Sequence, residues 1–157
     1  MKKLLVLGIS VLFVAACSNN SNQSSTDTSS EPQVATEAEI IEYDPHRGEG
    51  KFKDVEVSPA LDVEMAAKGE SIFSVKCGSC HKLSDELLVG PGFAGVSERR
   101  SATWMMNFLT NTDEMIDLDP ELQAQLEICM VRMPNQNLSD EDARSIYEFM
   151  RKNDGVK

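Results

Sequence analysis

The sequence predicts an all-α domain over residues 61–154. From Leu61 onward, apolar residues recur every three or four positions, the period of a helix with one buried face. Two helix starts are marked by capping chemistry, at Asp119-Pro120 and at Ser139. No pair of alternating segments joined by hairpin turn residues appears in the domain, the pattern that would argue for a sheet.

Residues 1–16 read as an export signal rather than as structure. Met1-Lys2-Lys3 is a basic start, and the apolar run from Leu4 to Ala16 has only 13 residues. Spanning a bilayer takes about 20. The run ends in Val14-Ala15-Ala16-Cys17, which resembles the lipobox of bacterial lipoproteins; a plain secretory signal with an incidental cysteine is the alternative. The lipobox reading makes Cys17 the lipidated mature N-terminus. At about 0.8 kcal/mol per buried CH₂, more than one acyl chain anchors stably. The resemblance to those lipoproteins implies that Ser18, in place of Asp, would favour sorting to the outer membrane, facing the periplasm.

Residues 17–60 form the lipidated cysteine and a flexible acidic and polar tether. From Ser18 to Ser30 every residue except Asp27 is Ser, Asn, Gln or Thr, too polar to offset the entropy of ordering. Asp44-Pro45 and Gly48-Glu49-Gly50 break any regular element. Val55 and Val57 alternate with charges, enough for a short extended strap against the domain. About 40 flexible residues reach roughly 35 Å, which would let an anchored domain swing between partners.

Within the domain, Leu61, Met65, Ile72 and Phe73 predict a first helix running towards Val75. Gly69 inside it costs about 1 kcal/mol against alanine, so close packing is its expected reason. Ala102 to Leu109 is a second helix. A third begins at the Asp119 N-cap with Pro120 at its first position, and Leu122, Leu126, Cys129 and Met130 share one of its faces. Ser139 caps the last helix, with Asp142 three residues on and Ala143, Ile146, Phe149 and Met150 as its buried stripe.

Fifteen Lys and Arg against 26 Asp and Glu give a net charge of −11, which argues against nucleic acid or an anionic membrane surface as partner. Four Cys and two His are too few for a zinc array or a disulfide-dense scaffold. Their placement is informative: Cys77-Gly78-Ser79-Cys80-His81 is C-x-x-C-H, the attachment signature of c-type haem. Two thiols three residues apart can form thioethers to both vinyl groups on one side of the porphyrin. The adjacent imidazole is thereby delivered to the iron. A dithiol redox site would expect a βαβ setting. A zinc site would need a fourth ligand, and only Cys129 or His46 remains. A plain disulfide would leave His81 without a role. His46 lies in the polar tether and reads as a surface residue.

Residues from about 61 to 153 are similar to a monohaem class I cytochrome c. The resemblance implies a small helical fold wrapped around one covalent haem c, with a methionine as sixth iron ligand in a loop ahead of the last helix. Arg132-Met133-Pro134 fits that place, 52 residues after His81. Pro134 cannot continue a helix and pushes Met133 into extended backbone. Met130, a histidine or a vacant position are the alternatives, and Met105 and Met106 read as core fillers. Gly90-Pro91 matches the pair whose Pro carbonyl accepts the proximal histidine's N–H. Phe93 stands where leucine is more usual. Gly69 and Phe73 match the first-helix pair that crosses the last helix, here opposite Phe149. Arg99, Arg100 and Trp104 resemble the residues that meet the haem propionates. Cys129 is expected to be a buried free thiol.

These assignments imply an electron carrier rather than an enzyme, with redox proteins as transient partners and no small-molecule substrate. The acidic surface suits docking on a basic patch. Val89-Gly90-Pro91, Trp104-Met105-Met106-Asn107, Asn111-Thr112-Asp113-Glu114-Met115 and Arg132-Met133-Pro134-Asn135-Gln136-Asn137 are similar to lipoprotein cytochromes found beside nitrous oxide reductases. A haem-copper oxidase or another periplasmic reductase is an open alternative as acceptor. A gas-binding sensor with a labile methionine, or a fixed cytochrome subunit of a respiratory complex, are the rival roles.

Overall fold

The computed structural model describes residues 43–157. The export signal, Cys17 and the tether up to residue 42 lie outside the described residues. Six helices follow in order: α1 (Val63–Lys76), α2 (Val96–Arg99), α3 (Ala102–Thr110), α4 (Thr112–Leu118), α5 (Pro120–Cys129) and α6 (Asp140–Asn153). Among the described residues no strand forms.

The helix ends follow the capping chemistry. The Asp62 carboxylate accepts from Met65 N–H to start α1, Ser101 from Trp104 N–H to start α3, and Ser139 from Asp142 N–H to start α6. Asp119 accepts from the N–H groups of Glu121 and Leu122, with Pro120 at the first position of α5. α6 carries three acids in its first turn and Arg151 and Lys152 in its last, matching the helix dipole at both ends.

The core forms where α1 crosses α6, with α3 packed alongside. A Cβ on Gly69 would lie 2.5 Å from the Ser145 carbonyl carbon, closer still to its oxygen, and 2.9 Å from Phe149 Cβ. Only glycine lets the two backbones approach so far. Phe73, one turn on, packs against Phe149 at 5.5 Å between ring centroids and edge-on against Phe93 at 5.2 Å. Lys68 pairs with Glu141 and Asp142 at the rim of this crossing, and Lys152 with Glu70.

Sequence periodicity missed two short helices. α2 is a single turn held from outside: Asp154, just past α6, accepts from Gly95 N–H, Ser97 N–H and the Ser97 hydroxyl. α4 follows α3 after one residue, Asn111, and buries Met115 and Ile116. The Asp113 and Glu114 pair in its first turn was its available signal.

Residues 43–60, assigned from sequence to the flexible tether, are seated on the domain as a strap. Its backbone has no strand partner, so side chains of α3 and of the residues capping it satisfy it. Asn107, with 0% exposure, accepts from Phe52 N–H and donates to the carbonyls of Arg47 and Phe52. Thr103 accepts from Val55 N–H, Ser101 donates to the His46 carbonyl and Asn111 to that of Glu49. Phe52, Val55 and Val57 cover the core from this side.

Two further expectations need correction. Met130 does not sit on the face of α5: it is the left-handed C-cap (φ 55°), and with the helix already ended its side chain is 86% exposed. Cys129 is a free thiol but only half-buried, because its side of α5 faces a cavity rather than packed protein.

Candidate functional site

A cavity of about 330 Å³ opens between the end of α1, the loop after it, α3, α5 and the segment before α6. Cys77, Cys80 and His81 stand on its wall, with Met133 and Pro134 from the pre-α6 segment. Trp104, Met105, Phe108 and Leu109 line it from α3, and Leu122, Leu126 and Cys129 from α5. No residue of α5 is buried, although Leu122 and Leu126 share a helix face. That apolar face is turned into the cavity, which therefore calls for a large apolar occupant.

The C-x-x-C-H segment continues α1 as tight turns. Cys77 N–H donates to the Phe73 carbonyl at 2.9 Å, and the N–H groups of Cys80 and His81 both donate to the Cys77 carbonyl. This folding brings both thiols and the imidazole to one cavity. Cys77 is buried, which pushes its thiol above the ordinary range, and it is free, as is Cys80. Among the described residues, no three His, Cys, Asp or Glu side chains converge as a metal cluster, so the four-ligand zinc alternative has no site there.

His81 is oriented by the loop that follows. Val89 and Gly90 N–H both donate to the Cys80 carbonyl, folding that loop back. The Pro91 carbonyl then lies 2.8 Å from His81 Nδ1. A carbonyl only accepts, so Nδ1 carries the proton there and the Nε2 lone pair is left for a metal. The imidazole also leans on Phe93 at 5.1 Å between centroids. A Cβ on Gly90 would lie 2.8 Å from Nδ1 and closer to Cε1. Gly90→Ala is therefore expected to rotate the imidazole off its place. In haem-loaded protein this would read as a loss of low-spin ferric signal, whereas an unchanged spectrum would show that the ring has room to spare.

Met133 is half-buried on the cavity wall while Met130 points away from it. Its segment is fastened on both flanks. Arg132 reaches back to α4, donating to the Asp117 carboxylate at 2.8 Å and the Asp113 carbonyl at 2.7 Å. Lys76, beside the first cysteine, donates to the Gln136 carbonyl at 3.0 Å. Met105 and Met150 reach the same cavity from helices, so the thioether on irregular backbone is Met133.

Arg99 and Arg100 stand at the cavity edge with Trp104. The indole N–H, however, is donated to Asp119 at 2.9 Å. Indole has one donor, and here it is engaged by Asp119. Arg100 stacks over the indole at 4.1 Å and pairs with Glu121, and Arg99 donates to the Ala94 carbonyl. Each guanidinium has further N–H groups, so those two remain the donors on that side. Of the wall residues, Met105 was read from sequence as a core filler, and Phe108 and Leu109 were not singled out. With Trp104 and Met105 they stand at i, i+1, i+4 and i+5, one helical face, the signal that would have found them.

Two thiols, one oriented imidazole, a thioether and an apolar slot are the donor set and shape that haem c requires, and these residues fit it.

Comparison with known proteins points the same way. The family model for cytochrome c matches residues 66–154. Among solved structures, the chain is similar to a cytochrome c from Rhodothermus marinus, at 32% identity over 67% of this chain and 90% of that one, with a TM-score of 0.64. An engineered form of the Rhodothermus marinus cytochrome c matches at 31% identity over the same shares, again with a TM-score of 0.64. Among curated proteins no match is found.

Proposed function

The chain belongs to the cytochrome c family, with a class I fold, one covalent haem c and a haem-based electron-transfer role, and from that premise we propose that it is a lipid-anchored carrier using His81 and Met133 as axial iron ligands. The observation that carries the reading is that the C-x-x-C-H imidazole and the Arg132-Met133-Pro134 thioether line one apolar cavity. Haem c supplies a one-electron iron couple, which Met/His ligation raises in potential relative to a bis-histidine site.

The chain's own residues do the rest. Cys77 and Cys80 would hold the porphyrin covalently, and the Pro91 carbonyl keeps His81 in the tautomer that presents Nε2. Arg132 and Lys76 fix the segment that offers the Met133 thioether. Phe93, Phe108, Leu109, Leu122 and Leu126 exclude water, which limits the rearrangement that accompanies each change of charge. No general base or nucleophile is placed in this scheme; electrons enter and leave by contact with partner proteins.

Cys17 is the lipid attachment point in this proposal, and the polar segment after it spaces the domain from the membrane in the periplasm, with the outer membrane favoured. The partner is a redox protein with a basic patch. A copper-containing nitrous oxide reductase is the acceptor that the similarity of the Val89-Gly90-Pro91 and Arg132–Asn137 segments supports. Residues 43–157 carry 21 acidic and 13 basic side chains, a balance of −8 that favours such a surface. Electron delivery to the acceptor is expected to slow at least tenfold between low and high salt, as steered association does. Stopped-flow oxidation of the reduced protein checks this, and flat kinetics across ionic strength would contradict electrostatic docking.

A further inference from the structure

We propose that Asp119 is a positioning residue for the redox site, a fixed buried charge that holds one wall of the haem cavity and fastens the strap to it. Asp119 is 2% exposed, yet each of its oxygens is fully engaged. One accepts from Glu121 and Leu122 N–H at 2.8 and 3.0 Å, which sets the start of α5. The other accepts from the Trp104 indole at 2.9 Å and from the Tyr43 hydroxyl. Burial opposes its ionisation, but these four donors outweigh burial and hold the carboxyl below the ordinary carboxylate range.

Three separate elements therefore meet at one carboxylate. Trp104 from α3 and Leu122 from α5 both line the cavity, and Tyr43 is the first described residue of the strap. N-capping alone would not need burial, because an exposed aspartate caps equally well. What burial adds is a negative charge in a medium that screens it poorly, one indole ring away from the cavity. Arg100 lies over that ring and is itself paired with Glu121, so Asp119 is not neutralised by it. A fixed anion there favours the more positively charged, ferric state. Neutralising it favours the ferrous state.

The inference rests on haem occupying this cavity, and the test separates the two. Full-length protein matured with haem is compared with Asp119→Asn, which keeps an excellent N-cap. The proposal expects a midpoint potential raised by about tenfold in the ferrous-to-ferric ratio, about 59 mV for one electron. Simple loosening of the wall would admit water and lower the potential, so the upward direction is the signature. An unchanged or lowered midpoint, with haem attached and the helix content of the parent, overturns the proposal. A parent chain that matures without haem overturns the reading of the cavity and this role with it. Should Asp119→Asn fail to fold, Tyr43→Phe decides. Faster proteolysis within residues 43–60, with residues 61–157 cleaved no faster than in the parent and the midpoint lowered about twofold in the same ratio, supports the latch and the charge together, since the wall has stayed closed while the carboxylate lost a donor. Parental proteolysis of residues 43–60, a loosened domain or an unmoved midpoint overturns it.

Discussion

Replacing Glu148 by alanine is expected to destabilise the domain by about 3–5 kcal/mol, the cost of stranding a buried charge. Glu148 has 0% exposure, although it sits in the middle of α6. One of its oxygens accepts from Arg151 at 2.5 Å and from Asp62 N–H at 2.9 Å, and the other from Arg144 at 2.5 Å. Arg151, itself buried, also donates to the carbonyls of Ser58 at 2.7 Å and Pro59 at 3.2 Å. The carboxylate thus ties α6 to the start of α1 and to the end of the strap. Truncation leaves Arg151 buried without its counter-charge. For a domain near 100 residues each kcal/mol is worth roughly 4–8 °C, so thermal melting should fall by about 12 °C or more. Removing the buried pair, as Glu148→Leu with Arg151→Met, is expected to recover part of that loss, because no fully buried charge is then stranded, while Arg144 turns to solvent and Asp62 N–H and the Ser58 and Pro59 carbonyls stay without their partners. A parental melting temperature in the single variant would show that the ion cluster contributes nothing.

Gly69→Ala is expected to cost about 2 kcal/mol net, despite improving helix propensity. Alanine gains roughly 1 kcal/mol over glycine inside a helix. Against this, the added Cβ meets the backbone carbonyl of Ser145, which no rotamer change can move. The helices must separate, and overpacking of this kind typically costs 1–3 kcal/mol, at times more. The consequence extends to the site. Phe73 is on α1, Phe93 packs against it, and His81 leans on Phe93, so a displaced crossing loosens the imidazole's support. Chemical denaturation of the haem-loaded variant gives the magnitude. A midpoint equal to or above that of the parent would mean the propensity gain wins and the crossing is looser than described.

The parts legible in the sequence were those in which a local rule and the tertiary structure agree. Asp119-Pro120 and Ser139 mark helix starts through chemistry confined to four residues, and those helices begin there. Gly69 was legible because a glycine inside a helical pattern needs a packing reason. The C-x-x-C-H spacing is itself the chemistry, and the contact between His81 and Pro91 lies within eleven residues of chain. The unreadable parts are those decided at long range. The alternation at Val55 and Val57 announced a short strap, but Tyr43 to Asp54 looks polar and breaker-rich, and it takes side chains some 50 residues on, Asn107 and Asn111 among them, to make it ordered. A glutamate within a helix reads as a solvated residue, so Glu148 could not be placed inside without its two arginines. Trp104 donates its indole N–H to Asp119, 15 residues on, and nothing near Trp104 announces that partner. Met130 fits the apolar face by counting, but the helix ends one residue too early for counting to apply.

The central claim is that one iron is held by the His81 imidazole and the Met133 thioether. The measurement that tests it most directly is the absorption spectrum of the ferric, haem-loaded full-length protein beside its Met133→Ala variant, with Met130→Ala as control. Thioether coordination of ferric haem gives a weak far-red charge-transfer band. The account predicts that band in the parent and in Met130→Ala, and its complete loss in Met133→Ala. Its persistence in Met133→Ala would place the sixth ligand elsewhere and contradict the account.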